Sequence, residues 1–268
     1  MFLRLLITSF ACAALLAFPV QAGAVVGGTP DSAHPYVGLE DNGPELCSGT
    51  LISTRVVVTA AHCYADAASS YGSIGGHPRI RITFDPQGVF NPGRVSYFGT
   101  YYWDAQFCLG CAPGLPGFDT HDVAIVVLDE PVWMPRYGRL PTAAFAQTLP
   151  TGTSMDIVGF GVQSFAKPDP CGPSCKPEPA TYLTRFSAPA SLTTVGGEFL
   201  KLSANTAQGK GGQCFGDSGG PILLGGTDTL VGEVSHGNRN CVGVGYDYRL
   251  DTPQALGWIM SAVAAYAG

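Results

Sequence analysis

What most limits the fold of this chain is a succession of short, β-branched, apolar runs. They are Thr50–Ile52, Val56–Ala60, Ile80–Phe84, Val123–Leu128, Met155–Gly159, Pro221–Leu224 and Leu230–Val234. Each has strand length and is rich in Val, Ile or Thr. The 36 glycines and 21 prolines supply the turns that so many short strands require. No sustained helical period occurs before the last stretch. There, Thr252 and Pro253 read as an N-cap and first helical residue. Leu256, Ile259, Met260 and Val263 then recur at three- and four-residue steps and predict one apolar helix face. The expectation is an all-β body with one terminal helix. At 46% hydrophobic and 13% charged residues, the chain can build a packed core and is not disordered. Its 268 residues suit one large domain or two small ones. Pro131, Pro135, Pro141 and Pro150 mark a linker near residues 130–148.

The first residues read as an export signal. Met1 to Arg4 gives a basic start, and Leu5 to Phe18 is an apolar run broken only by Thr8 and Ser9. Pro19 ends it, and the small residues Ala22, Gly23 and Ala24 follow. The run falls short of the ~20 residues of a spanning helix. Cleavage after Ala22 or after Ala24 fits equally. Of nine cysteines, Cys12 lies in this signal. An even set remains: Cys47, Cys63, Cys108, Cys111, Cys171, Cys175, Cys214 and Cys241. In an exported chain that favours disulfides. The pairs Cys108/Cys111 and Cys171/Cys175 also have zinc-site spacing, but an oxidising compartment argues against metal. The net charge of −6 without a Lys/Arg cluster argues against nucleic acid or an anionic membrane as partner.

Three motifs carry chemistry. Thr59-Ala60-Ala61-His62-Cys63 directly follows a strand run. Asp122 heads the apolar run Val123–Leu128, where an unpaired carboxylate is costly to bury. It either caps the strand in solvent or has a partner such as a histidine. Gly216-Asp217-Ser218-Gly219-Gly220-Pro221 places a serine between glycines. That permits an unusual backbone and close approach of a substrate.

Together these motifs resemble the chymotrypsin/trypsin-like serine proteases, in which the triad runs His, Asp, Ser along the chain. The resemblance begins at Val25-Val26-Gly27-Gly28 and continues through Cys47-Ser48-Gly49-Thr50-Leu51-Ile52. It ends with Ser235-His236-Gly237 and the terminal helix. It implies two packed antiparallel six-stranded β-barrels, with a signal at 1–24, a first barrel at 25–140 and a second at 141–268. It implies a secreted endopeptidase, extracellular or periplasmic, with His62, Asp122 and Ser218 as triad and the amides of Gly216 and Ser218 as oxyanion hole. Gly212, Gln213, Ser235, His236 and Gly237 become substrate-binding positions, and Ser235 also supports Asp122. A new N-terminus at Val25 would pair with Asp217. Cys47–Cys63 and Cys214–Cys241 match family bridges. Cys108–Cys111 and Cys171–Cys175 are expected as local ones. Neither cofactor nor metal is needed. Partners would be protein or peptide substrates and proteinaceous inhibitors, and the protein a monomer without membrane attachment once the signal is gone.

The departures from the family pattern concern specificity. Gly212 stands where a trypsin-like chain carries an aspartate at the pocket base, so the expected preference is for uncharged residues, aromatic or aliphatic. The far wall lies near Gly243–Tyr248. Tyr246 or Val244 there would make the pocket shallow, Gly245 would make it deep, and Asp247 pointing inward would restore basic specificity. His236 replaces a common tryptophan and Ser48 a common glycine. Three rival readings are a non-catalytic, protease-shaped binding protein, which would typically have lost a triad residue; an esterase with the same triad, which lacks support in the absence of α/β alternation; and a secreted disulfide-rich structural protein, which would leave Gly216–Pro221 unexplained.

Overall fold

The computed structural model describes residues 25–165, 179–181, 183–238, 241 and 243–267. The expected signal at 1–24 and the expected Cys171–Cys175 bridge lie outside the described residues. Among the described residues, sixteen strands precede one α-helix. They are β1 (Thr29–Pro30), β2 (Val37–Asp41), β3 (Leu46–Leu51), β4 (Val56–Thr59), β5 (Ser73–Ile74), β6 (His77–Thr83), β7 (Tyr97–Trp103) and β8 (Ala124–Leu128). Then come β9 (Ser154–Gly159), β10 (Ser164–Phe165), β11 (Pro179–Thr181), β12 (Phe186–Val195), β13 (Phe199–Ala204), β14 (Pro221–Leu224), β15 (Leu230–Gly237) and β16 (Gly243–Arg249). Helix α1 spans Pro253–Tyr266.

Two closed antiparallel barrels result. In the first, β2, β3, β4, β8, β7 and β6 follow one another and β6 pairs back onto β2. In the second, β12, β13, β16, β15, β14 and β9 do the same, closed by β9 on β12. Closure leaves few free strand edges. Each barrel encloses an apolar core, the first around Leu39, Ile80, Ile82 and Ile125, the second around Ile157, Leu192, Leu202 and Ile222. The chain ends strap the barrels together. Val25 packs in the second core and β1 pairs with β12, whereas α1 packs against the first core.

The helix corrects one expectation. Its buried stripe is Ala255, Ile259 and Ala262, while Met260 is 60% exposed. The alanines let the helix axis approach the barrel, and that turns Met260 outward. Leu256 and Val263 sit half-buried on the flanks. The N-cap forms: Thr252 Oγ1 accepts the Ala255 N–H at 3.1 Å. Among the described residues, no helix is long and apolar enough to cross a membrane.

Candidate active site

The register of the first barrel brings His62 to Asp122. Thr59, the last residue of β4, pairs with Ala124, the first of β8. His62 leaves that end of the sheet in a short 3₁₀ turn, Ala61–Cys63, and a disulfide from Cys63 to Cys47 ties the turn to β3. Asp122 enters the same end after His121, which sits in the left-handed region at φ 55°. His121 Nδ1 lies 3.1 Å from Asp104 Oδ2, which helps hold that backbone.

Asp122 is fully buried and surrounded by donors. Its Oδ1 accepts the His62 backbone N–H at 2.8 Å. Its Oδ2 lies 2.8 Å from His62 Nδ1 and accepts the Ser235 hydroxyl at 2.6 Å. A carboxylate can only accept, so the proton sits on Nδ1 and the lone pair of His62 Nε2 is left exposed. Ser235 reaches across from the second barrel because β15 bulges against β16 between Val234 and His236. Burial opposes charge on both partners, but their mutual attraction and hydrogen bonds win. The Asp122 carboxyl is held below, and the His62 imidazole above, its ordinary value.

Ser218 lies in the turn between the Cys214–Cys241 bridge and β14. Two cavities meet there. One of 320 Å³ is lined by His62, Ser218, Gln213, Ser235, His236 and Gly237. The other, of 540 Å³, is lined by His62, Ser218, Glu45, Leu46, Phe160 and Gly216. His62 and Ser218 line both, so a chain laid across the two would run past that pair. Gly216 adopts φ 96° and Gly219 φ 75°. A Cβ on Gly219 would stand 2.2 Å from Thr59 Oγ1, so glycine is required where this turn meets the first barrel. The Ser218 carbonyl accepts the Ser48 N–H at 2.8 Å.

Asp217, next to Ser218, is fully buried with neutral partners. It accepts the Gly161 N–H at 2.8 Å and the Cys214 N–H at 2.9 Å. Burial outweighs these bonds and pushes its carboxyl up to about 7. Val25 is also buried, and its neighbour Val26 accepts the Gly212 N–H at 2.9 Å. With Ala24 still attached, Val25 offers an amide rather than an ammonium, and its φ of 53° is unusual for a β-branched residue.

Gly237 lines the first cavity and pairs with Gly245 on the neighbouring strand, but the space over Gly245 is not open. The Gln213 side chain fills it, and a Cβ on Gly245 would lie 2.2 Å from Gln213 Oε1. Gln213 Nε2 donates to the His236 carbonyl at 3.1 Å and to Asp247 Oδ1 at 2.6 Å. Asp247 points inward beneath this amide and is fully buried. Burial pushes its carboxyl well above the usual range.

Two parts of the site lie outside the three chemical motifs, Ser48 marked in sequence only as a departure from the family pattern and Asp119 not marked at all. Ser48 Oγ donates to the Gly216 carbonyl at 2.9 Å and accepts the Phe160 N–H at 3.0 Å. It thereby pins the turn that carries Ser218. Asp119, three residues before Asp122 in the chain, is buried and accepts the Gly110 N–H at 2.7 Å. Its Oδ2 stands 3.6 Å from His236 Nε2. The loop bearing Gly110 is closed by a Cys108–Cys111 disulfide, and Phe118 stacks on the His236 ring at 4.6 Å.

The comparisons with known proteins agree with this architecture. The family profile described as Trypsin matches residues 25–259. Trypsin theta of Drosophila melanogaster is 31% identical over 258 residues, covering 90% of this chain and 87% of the relative. A trypsin of Sarcophaga bullata is 28% identical over 245 residues, covering 88% of each chain. Two solved structures share the fold at a TM-score of 0.64: HL collagenase, 15% identical, covering 90% of this chain and 97% of its own, and mouse-brain neuropsin, 17% identical, covering 88% and 98%. With its double barrel and the His62–Asp122 pair at their junction, the chain belongs to the trypsin/chymotrypsin-like family of serine proteases.

Proposed function

We propose that this chain is a secreted endopeptidase that hydrolyses peptide bonds through an acyl-enzyme on Ser218. The observation that carries this reading is the buried Asp122, bonded to His62 Nδ1 at 2.8 Å, beside a serine that shares two cavities with that histidine. His62 Nε2 takes the Ser218 hydroxyl proton as Oγ attacks the scissile carbonyl, then gives it to the leaving amine. Asp122 fixes the tautomer and stabilises the imidazolium. The N–H groups of Gly216 and Ser218 bind the developing oxyanion, a contribution of roughly 3–4 kcal/mol per donor. Water, activated by His62, then releases the acyl group.

Substrates are proteins or peptides with an uncharged residue before the scissile bond. Gly212 supplies no carboxylate, and the Gln213 amide stands between the cavity and Asp247, whose carboxyl burial pushes well above the usual range. Export removes the signal by cleavage after Ala22 or after Ala24, and in the first case Gly23-Ala24 is then trimmed. Cleavage before Val25 turns its amide into an ammonium that pairs with Asp217, giving the buried carboxylate the cation it lacks. Removing Ala24 also relieves the Val25 backbone, because φ is defined through the preceding carbonyl.

The test is digestion of a random peptide library by the secreted protein and by Ser218→Ala. The variant should be folded and inactive, and phenylmethylsulfonyl fluoride should label Ser218 in the parent. Normal turnover by Ser218→Ala would refute the mechanism. Strong selection for Arg or Lys would refute the specificity and assign it to Asp247.

A further inference from the structure

We propose that Gln213 sets specificity in the first cavity: its side chain forms a raised floor that admits only short, uncharged side chains, and it conceals Asp247, which would otherwise select lysine or arginine. The inference deepens the endopeptidase reading and rests on it for every statement about cleavage. What the pocket binds can be measured without it.

The floor follows from which groups reach the cavity. Gln213, Val234 and Gly237 line it, whereas Gly212, Gly245 and Asp247 do not. The strand pair Gly237–Gly245 carries no side chain on either strand, and such a pair leaves a slot that a long substrate side chain could follow. Here the protein fills the slot itself. A Cβ on Gly237 would lie 3.4 Å from Gln213 Cγ, and one on Gly245 would lie 2.4 Å from Nε2 and 2.5 Å from Cδ. The stem of Gln213 therefore passes Gly237, and its amide ends over Gly245. Both protons of Nε2 are used, one on the His236 carbonyl at 3.1 Å and one on Asp247 Oδ1 at 2.6 Å. A side chain tied at both donors does not swing aside without stranding a buried carbonyl and a buried carboxyl. An entering substrate side chain meets a packed amide where a deeper pocket would continue.

Below the floor, charge can come from Asp247 but not from Gly212. A Cβ on Gly212 would stand 2.3 Å from the Cys241 carbonyl oxygen, so that position has no room for a carboxylate of its own. Asp247 is fully buried, and burial pushes its carboxyl well above the usual range. A lysine or arginine side chain reaching it would reverse that direction, because an opposite charge favours the ionised form. Gln213 prevents the meeting. It lines the cavity at one end and bonds Asp247 at the other, so a shorter residue in its place leaves a shaft with a carboxyl group at its end.

Rates on peptides that differ only in the residue before the scissile bond test the floor. The secreted protein should cleave after alanine and valine at least about ten-fold better, in kcat/KM, than after phenylalanine, lysine or arginine, the low end of what surplus methylenes cost in a closed pocket. Gln213→Ala should raise cleavage after lysine and arginine at least about ten-fold, with Gln213→Ser as a second opening if the alanine variant does not fold. Asp247→Asn in either background should abolish the gain. Calorimetric titration of benzamidine, an aromatic cation, into Ser218→Ala protein reads the pocket without cleavage. Binding should be absent with Gln213 in place, appear in the opened variant and vanish again with Asp247→Asn. Equal cleavage after alanine and phenylalanine, or after alanine and arginine, by the unmutated protein overturns the floor. An opened variant with an intact melting transition that gains neither benzamidine binding nor cleavage after lysine overturns the role of Asp247. A protein that cleaves no peptide refutes the endopeptidase reading, and the benzamidine titration then decides the pocket.

Discussion

Asp122 and Asp217 are both fully buried carboxyl groups beside the reactive centre, yet their environments drive them in opposite directions. Asp122 faces an imidazole, a hydroxyl and a backbone amide, and its carboxyl is held below the ordinary value. Among the described residues Asp217 faces two backbone amides and no cation, and it is pushed up to about 7. Burial is common to both, so the partners decide the charge. The larger test of this contrast is Asp122→Asn. An amide at that position can donate to His62 Nδ1 and so favours the wrong tautomer. The turnover number should fall about 10⁴-fold, the loss seen in the general triad template. The acid limb of the pH–rate profile should also move down, because the carboxylate holds the imidazole above its ordinary value.

Asp217 makes the complementary case through stability. Its value of about 7, and the value of about 8 to which burial pushes Glu40, both exceed those of the unfolded chain. Between the unfolded and folded values the native state binds more protons. Stability of the unprocessed chain should therefore fall as pH rises from about 4 to about 8, with no further loss from these groups above that. Urea midpoints for the precursor and for protein starting at Val25 check this. If the Val25 ammonium pairs with Asp217 in the processed form, as proposed, that share of the decline disappears and only the part due to Glu40 is left. Glu40→Gln should remove the Glu40 share in both forms. Equal slopes in precursor and processed protein would exclude the Val25–Asp217 pair.

How far the sequence anticipates this structure depends on whether a feature is local. Strand runs such as Val56–Ala60 and Pro221–Leu224 announce themselves, because alternation and β-branching are properties of the strand itself. The helix start is local too, and Thr252 caps it as the residues suggest. The helix face is not local. Leu256 and Met260 look equally apolar in sequence, and the approach of the first barrel to Ala255 and Ala262 selects between them. In the site, the three motifs mark His62, Asp122 and Ser218, but the pocket depends on which residue of β16 faces Gly237. Four candidates fit the sequence. The strand register selects Gly245, and the Gln213 side chain then occupies the space that glycine leaves. Asp119 is one acidic loop residue among several until the fold sets it against His236.

Ser48 gives the smallest expected effect and the sharpest view of how the two barrels cooperate. It lies in β3 of the first barrel, yet both bonds of its hydroxyl cross to the second, to the Gly216 carbonyl and the Phe160 N–H. Ser48→Ala removes a donor and an acceptor at a fully buried position, stranding a buried amide and a carbonyl. The expected loss of stability is ~1–3 kcal/mol, measured as a shift in the urea midpoint. Because Gly216 carries an oxyanion donor in the proposed mechanism, its loosened carbonyl should also lower the turnover number more than it raises KM. Ser48→Thr keeps the hydroxyl and should recover part of both losses if the extra methyl fits against Gly220, whose own Cβ position is 3.1 Å from Ser48 Cβ. A stability loss in Ser48→Ala with unchanged turnover would mean that the hydroxyl holds the barrels together without aiming the Gly216 amide.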